Sequence, residues 1–66
     1  MEIEIDDFQT LWNDQIIIET DLSREEIYVT FLNSTRLTEE MACFSIPDTH
    51  RLIIALQDAI ERCKEA

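Results

Sequence analysis

The chain has 66 residues, fifteen of them acidic and five lysine or arginine, which gives a formal charge of −10 at pH 7. A chain this short buries only about 60% of its unfolded surface, and it usually needs a disulfide, a metal or a partner subunit for stability. Nucleic-acid binding depends on many basic side chains, so this charge argues against direct binding of nucleic acid. It favours a basic protein as the partner.

The N-terminal residues MEIEIDD have neither the basic nor the apolar region of a secretory signal peptide. No apolar run approaches the roughly 20 residues that cross a membrane. We therefore expect a cytoplasmic protein that makes no membrane contact and whose two cysteines are reduced. The acidity is uneven, since residues 1–46 hold eleven acidic residues and two arginines, whereas residues 47–66 hold four acidic and three basic residues.

The first segment alternates apolar and acidic residues over 2–6, which predicts a short strand. Phe8 and Trp12 then fit a helical spacing. We expect residues 7–14 to form a helical turn or an irregular loop that places both aromatic side chains under the sheet.

The next three segments each alternate with the period of a strand, over residues 15–20, 26–32 and 40–46. The chain has no glycine, so the turns at 13–14, 21–24 and 33–38 must use asparagine, aspartate and serine. Pro47 and the neighbouring Asp48 suit the start of a helix, predicted over 47–64. Together these elements predict one α+β domain spanning 1–66, a four-stranded antiparallel meander with one helix packed on one face, ββββα in two layers.

A helical projection separates two sides of the C-terminal helix. We expect one side, an apolar stripe, to pack on the sheet; it consists of Leu52, Ile53, Leu56, Ala59, Ile60 and Cys63. Ile54 lies on the opposite, polar side, together with His50, Gln57, Asp58 and Glu61. Ile54 is either a single exposed aliphatic residue, which is common, or the anchor of a homodimer interface with those four residues as its rim.

Alternation along the strands also separates two faces of the sheet. The face predicted to meet the helix carries Ile3, Ile5, Ile16, Ile18, Ile27, Val29, Phe31, Phe44 and Ile46. The other face is the candidate partner-binding surface, with Glu2, Glu4, Asp6, Ile17, Glu19, Glu26, Tyr28 and Met41. Its carboxylates either serve solubility alone or steer a basic protein into contact, in the strongest form by imitating the phosphates of a nucleic acid.

The residues that could carry chemistry are few. Cys43, His50 and Cys63 do not have the short spacings of a zinc site, and we expect no metal and no cofactor, with both cysteines buried and the histidine at the surface. A disulfide between the two cysteines requires the opposite assignment of strand faces. Neither a nucleophile beside a base nor a glycine-rich phosphate loop occurs in the sequence, so we expect no enzymatic activity.

Short acidic strands that pass through FSIP into a helix resemble, in size and composition, small microbial proteins and phage inhibitors of host defence or nucleic-acid enzymes. The resemblance rests on no motif and implies no site residues. Two functions are expected from the sequence. The first is a non-catalytic module that binds, and inhibits or adapts, a basic nucleic-acid-handling protein; the alternative is a homodimeric accessory protein whose charge serves solubility.

Overall fold

The computed structural model describes residues 2–33, 35 and 37–65. Four antiparallel strands lie in chain order in one sheet, and one helix follows them. The elements are β1 Glu2–Gln9, β2 Asp14–Asp21, β3 Glu26–Asn33, β4 Thr38–Ser45 and α1 Ile46–Glu65. The predicted ββββα fold is confirmed. Of the predicted turn at 33–38, residues 34 and 36 lie outside the described residues.

Strand β1 is longer than predicted and contains a β-bulge. The register shifts between Glu4 and Asp6, after which pairing with β2 continues to Gln9. Phe8 therefore lies in the strand, opposite Ile16, and Trp12 lies in the turn with 79% of its surface exposed. The prediction of an irregular segment with both aromatic side chains under the sheet is wrong, because β2 offers backbone partners along the whole of residues 6–9.

Residues directly opposite each other on neighbouring antiparallel strands point to the same face, so the register defines two faces. We call one the apolar face; it carries Ile3, Asp6, Phe8, Asp14, Ile16, Ile18, Thr20, Ile27, Val29, Phe31, Asn33, Thr38, Glu40, Ala42 and Phe44. We call the other the acidic face; it carries Glu2, Glu4, Asp7, Gln9, Gln15, Ile17, Glu19, Asp21, Glu26, Tyr28, Thr30, Leu32, Glu39, Met41, Cys43 and Ser45.

The helix begins without any connecting residue, since Ser45 ends β4 and Ile46 starts α1. Ser45 caps the helix, because its hydroxyl accepts a hydrogen bond of 3.2 Å from the backbone N–H of Asp48. The Thr49 hydroxyl donates a 2.8 Å hydrogen bond back to the Ser45 carbonyl. Pro47 is thus the second helical residue, not the first as predicted.

The packing of the helix is much less extensive than predicted. Helix α1 contacts β3 and β4, but Thr49 is its most covered residue among those described, and even Thr49 is only half-buried. Ile53, predicted to be a core residue, is 45% exposed, and Ile60 is 53% exposed. The apolar stripe therefore does not cover the sheet, because a helix that continues directly from an edge strand has no loop in which to reverse across it.

The dimensions of the molecule reflect this open arrangement. Its solvent-accessible surface is 5657 Å², whereas a compact monomer of this mass exposes about 4,400 Å². Its radius of gyration is 13.6 Å, compared with about 11 Å for a compact chain of this length. Among the described residues, Ile16 and Thr30 alone are buried. The chain thus leaves apolar surface uncovered on both the sheet and the helix.

Within the described part of the turns, three residues lie in the left-handed region of backbone conformation, namely Asn13, Glu25 and Leu37. Leu37 has a φ of 56° and is 90% exposed, so it bears the backbone strain without any gain from burial. Asparagine tolerates this conformation better than leucine. We expect Leu37→Asn to raise the free energy of unfolding by up to about 1 kcal/mol.

This stabilisation is measurable as a rise of a few degrees, up to about 4–8 °C, in the melting temperature followed by circular dichroism. Leu22→Asn is the matched control, since Leu22 is also an exposed turn residue but does not have a positive φ. An equal rise for both variants would show that the removal of exposed leucine, and not backbone strain, is responsible.

Candidate functional site

Carboxylates are concentrated at one end of the acidic face. Across the sheet, Glu2 lies opposite Asp21, which lies opposite Glu26. In the next row of the same face, Glu4 lies opposite Glu19. Opposed side chains in such pairs are about 5 Å apart, and like charges at that distance destabilise the sheet. None of the four strands contains a lysine or an arginine that could compensate.

Three of these carboxylates are available to a partner. Glu2, Glu4 and Glu19 make no side-chain hydrogen bond or ion pair with the described part of the chain. Asp21, in contrast, accepts a 2.7 Å hydrogen bond from the Ser23 hydroxyl, and this bond is the main reason that the pKa of Asp21 is lowered. Glu2, Glu4 and Glu19 are therefore available to a partner, whereas the Asp21 carboxylate stabilises the turn that follows β2.

Glu26 is the centre of a small hydrogen-bonded group on the same face. One of its carboxylate oxygens accepts a 2.9 Å hydrogen bond from the Tyr28 hydroxyl, and the other accepts one of 3.4 Å from the Cys43 thiol. Arg24 Nη1 lies 3.9 Å from the carboxylate. An exposed ion pair at this distance contributes little to stability. The two neutral donors, Tyr28 and Cys43, are therefore the main local partners of Glu26.

The Glu26 carboxylate contributes to a raised pKa of both donors, Tyr28 and Cys43. The pKa of Tyr28 is raised from 10.0 to about 12, first by the hydrogen bond to Glu26, then by desolvation and by the negative charge of Glu26. Partial desolvation, followed by the hydrogen bond to Glu26, raises the pKa of the Cys43 thiol. The Cys43 thiolate is therefore scarce at neutral pH, which makes this exposed cysteine a poor nucleophile.

The structure brings together seven of the eight residues predicted for partner binding, all on the acidic face: Glu2, Glu4, Ile17, Glu19, Glu26, Tyr28 and Met41. Asp6 is the exception, because the bulge places it opposite Ile18 on the apolar face. The same bulge turns Asp7 onto the acidic face, where it accepts a 2.6 Å hydrogen bond from Gln15. Sequence alternation alone misses Asp7, since it assumes an uninterrupted strand.

The residues predicted for a dimer interface lie on an exposed side of the helix, and Ile54 is 65% exposed. A shallow depression beside Ile54 is lined by Arg51, Ala55 and Asp58, and Asp58 accepts a 2.9 Å hydrogen bond from Arg62. His50, Gln57 and Glu61 are exposed as well. Ile54 is no longer exceptional, because the apolar stripe predicted to be buried is open too.

The candidate metal ligands are not brought together. Cys43 and Cys63 are both free and exposed, so the prediction that they are buried is wrong. Over residues 2–33, 35 and 37–65, no three histidine, cysteine, aspartate or glutamate side chains are grouped so that they could hold a metal ion. In the same ranges, α1 is too polar to cross a membrane.

Comparisons with known proteins leave the two sheet faces and the helix as the basis for any functional argument. No protein-family model, curated protein or solved structure matches this chain.

Proposed function

We propose that this protein is a non-catalytic interaction module that binds a basic, nucleic-acid-handling protein through its acidic face. The observation that carries the proposal is the pair of adjacent carboxylate rows, Glu2–Asp21–Glu26 and Glu4–Glu19. Opposed like charges reduce the stability of the free sheet, and cationic side chains placed between them would relieve that repulsion. The rows therefore favour a basic partner over a neutral one.

The composition of the face supports a protein surface as the partner. Below the carboxylate rows, Ile17 and Met41 flank the buried Thr30 and provide apolar contact area, and Met41 is exposed. Carboxylates that steer the encounter, beside a few apolar side chains, are a common arrangement for binding between proteins. An inhibitory or adaptor role follows if the partner uses the occupied basic surface to bind nucleic acid.

The test is a triple variant with Glu2→Gln, Glu4→Gln and Glu19→Gln, compared with the unmodified protein in affinity capture from nuclease-treated host lysate. We expect a basic protein to be retained by the unmodified chain and bound about tenfold more weakly by the variant at low salt, since each exposed ion pair contributes roughly 0.2–1 kcal/mol. Raising the ionic strength should weaken capture by the unmodified chain.

The control variant carries Glu40→Gln, Glu61→Gln and Glu65→Gln, which change the net charge equally but lie away from the acidic face. Equal loss of capture by the two variants would show an effect of net charge alone, and unchanged capture by the first variant would exclude the acidic face. Competition by duplex DNA tests whether the acidic face imitates nucleic acid. If it does, DNA should displace this protein from its partner, because the partner's phosphate-binding groove cannot hold both ligands.

A further inference from the structure

We infer that the apolar face and the apolar stripe are covered by a second copy of this chain, each helix lying on the apolar sheet face of the other copy. The inference does not rest on the proposed function, since it concerns the opposite face of the sheet. Its first basis is that two complementary apolar surfaces are open in one chain. Phe31 and Phe8 are exposed on the sheet, and Leu56 and Ile60 are exposed on the helix.

The junction between β4 and α1 explains why the helix of a single chain, although it contacts β3 and β4, leaves most of its apolar stripe uncovered. Ser45 and Ile46 are consecutive, so no loop allows the helix to turn back over the sheet. Ser45 also fixes the start of the helix through its bond with Asp48. When the connection is too short for an element to pack on its own chain, exchange between two identical chains satisfies the same contacts.

The exposed area is large enough for a stable dimer. The chain exposes 5657 Å², about 1,300 Å² more than a compact monomer of its mass. A typical stable interface buries about 800 Å² on each partner, and permanent homodimers bury more. If the dimer interface buried this excess area, each chain would expose about as much surface as a compact protein of its mass.

The charge distribution favours a second copy on this side of the molecule. Residues 47–66 have four acidic and three basic residues, so the helix is nearly neutral. The apolar face carries three carboxylates among its strand residues, Asp6, Asp14 and Glu40, whereas the acidic face carries seven. Two copies that meet through the helix and the apolar face thus avoid most of the repulsion expected at a net charge of −10.

The helix provides a matched pair of variants for the test. Ile60 lies in a depression lined by Leu56, Ala59, Cys63 and Lys64, whereas Ile54 lies in a different one that shares no residue with it. We expect the unmodified chain to sediment as a dimer, Ile60→Glu to sediment as a monomer and Ile54→Glu to remain a dimer. A monomeric unmodified chain at high concentration would overturn the inference, as would dissociation caused by Ile54→Glu.

A second pair tests the sheet. Phe31 lies on the apolar face and Met41 on the acidic face, and both are exposed. Phe31→Gln should weaken dimerisation at least tenfold, since one Phe31 is lost from each copy, and Met41→Gln should leave it unchanged. A dimer that is insensitive to Phe31→Gln but sensitive to Ile60→Glu would show that the two helices pack on each other. That result would overturn the inference that each helix packs on the sheet of the other copy.

Should Ile60→Glu fail to fold, the unmodified chain still decides the question. The melting temperature of a dimer rises with protein concentration, because only the native chains associate and a higher concentration favours the associated state. We expect such a rise over a hundredfold range of concentration. A constant melting temperature would contradict dimerisation whatever the state of the variants.

Discussion

Ile16→Ala should remove most of the folding stability of this protein. Ile16 is only 9% exposed, and it lies on the apolar face directly between Phe8 and Phe31 of the neighbouring strands. Truncation of a buried isoleucine costs about 2–5 kcal/mol, because apolar contacts are lost and a cavity remains. A domain of this size has a net stability of roughly 3–5 kcal/mol, so this loss is a large part of the total and the variant should unfold at a much lower urea concentration.

The measurement is urea denaturation followed by far-ultraviolet circular dichroism at one fixed protein concentration. Trp12 fluorescence is a weaker probe, since this side chain is exposed in the folded state as well. Ile5→Ala is the control, because Ile5 lies at the bulge and is exposed; its effect should stay within about 0.5 kcal/mol. Equal denaturation midpoints for Ile16→Ala and the unmodified chain would contradict this account of the sheet.

Glu26→Gln should lower the pKa of Tyr28 substantially, from about 12 back towards the ordinary value of 10.0. The carboxylate of Glu26 accepts the hydrogen bond of the neutral tyrosine and repels the phenolate. Glutamine removes the negative charge and keeps an oxygen that accepts a weaker hydrogen bond. The chain has one tyrosine, so the ultraviolet absorbance of the phenolate reports this group alone.

The same shift links Tyr28 to stability at alkaline pH. Because the pKa in the folded state lies above the unfolded value of 10.0, the folded state holds the proton more tightly. The stabilisation is fully present below about pH 10 and is lost as the pH rises towards about 12. In Glu26→Gln this pH-dependent loss should shrink.

Glu25→Gln is the control for this prediction. It removes the same charge from the neighbouring residue, which is exposed in the turn and makes no hydrogen bond with Tyr28. We expect its tyrosine to titrate close to that of the unmodified chain. A shift of equal size in both variants would show that general charge, and not the hydrogen bond to Glu26, raises the pKa.

Local patterns in the sequence were sufficient to predict the order and type of the elements. Alternation over residues 15–20, 26–32 and 40–46 placed the side chains of β2, β3 and β4 on their correct faces, because the period of two is a property of each strand by itself. Ile46, predicted on the sheet beside Phe44, is the exception, since it belongs to α1. The start of the helix could have been predicted more closely, since Ser45 and Asp48 have the spacing of an N-terminal capping box.

The tertiary structure decided what depends on contacts between distant segments. The bulge in β1 arises from pairing with β2, and it moved Asp6 to the apolar face and Asp7 to the acidic face. Hydropathy identified the apolar stripe but could not show what covers it. The direct junction of Ser45 and Ile46 at an edge strand limits the contact of the helix with the sheet to β3 and β4, and the direction of that junction is a property of the assembled sheet.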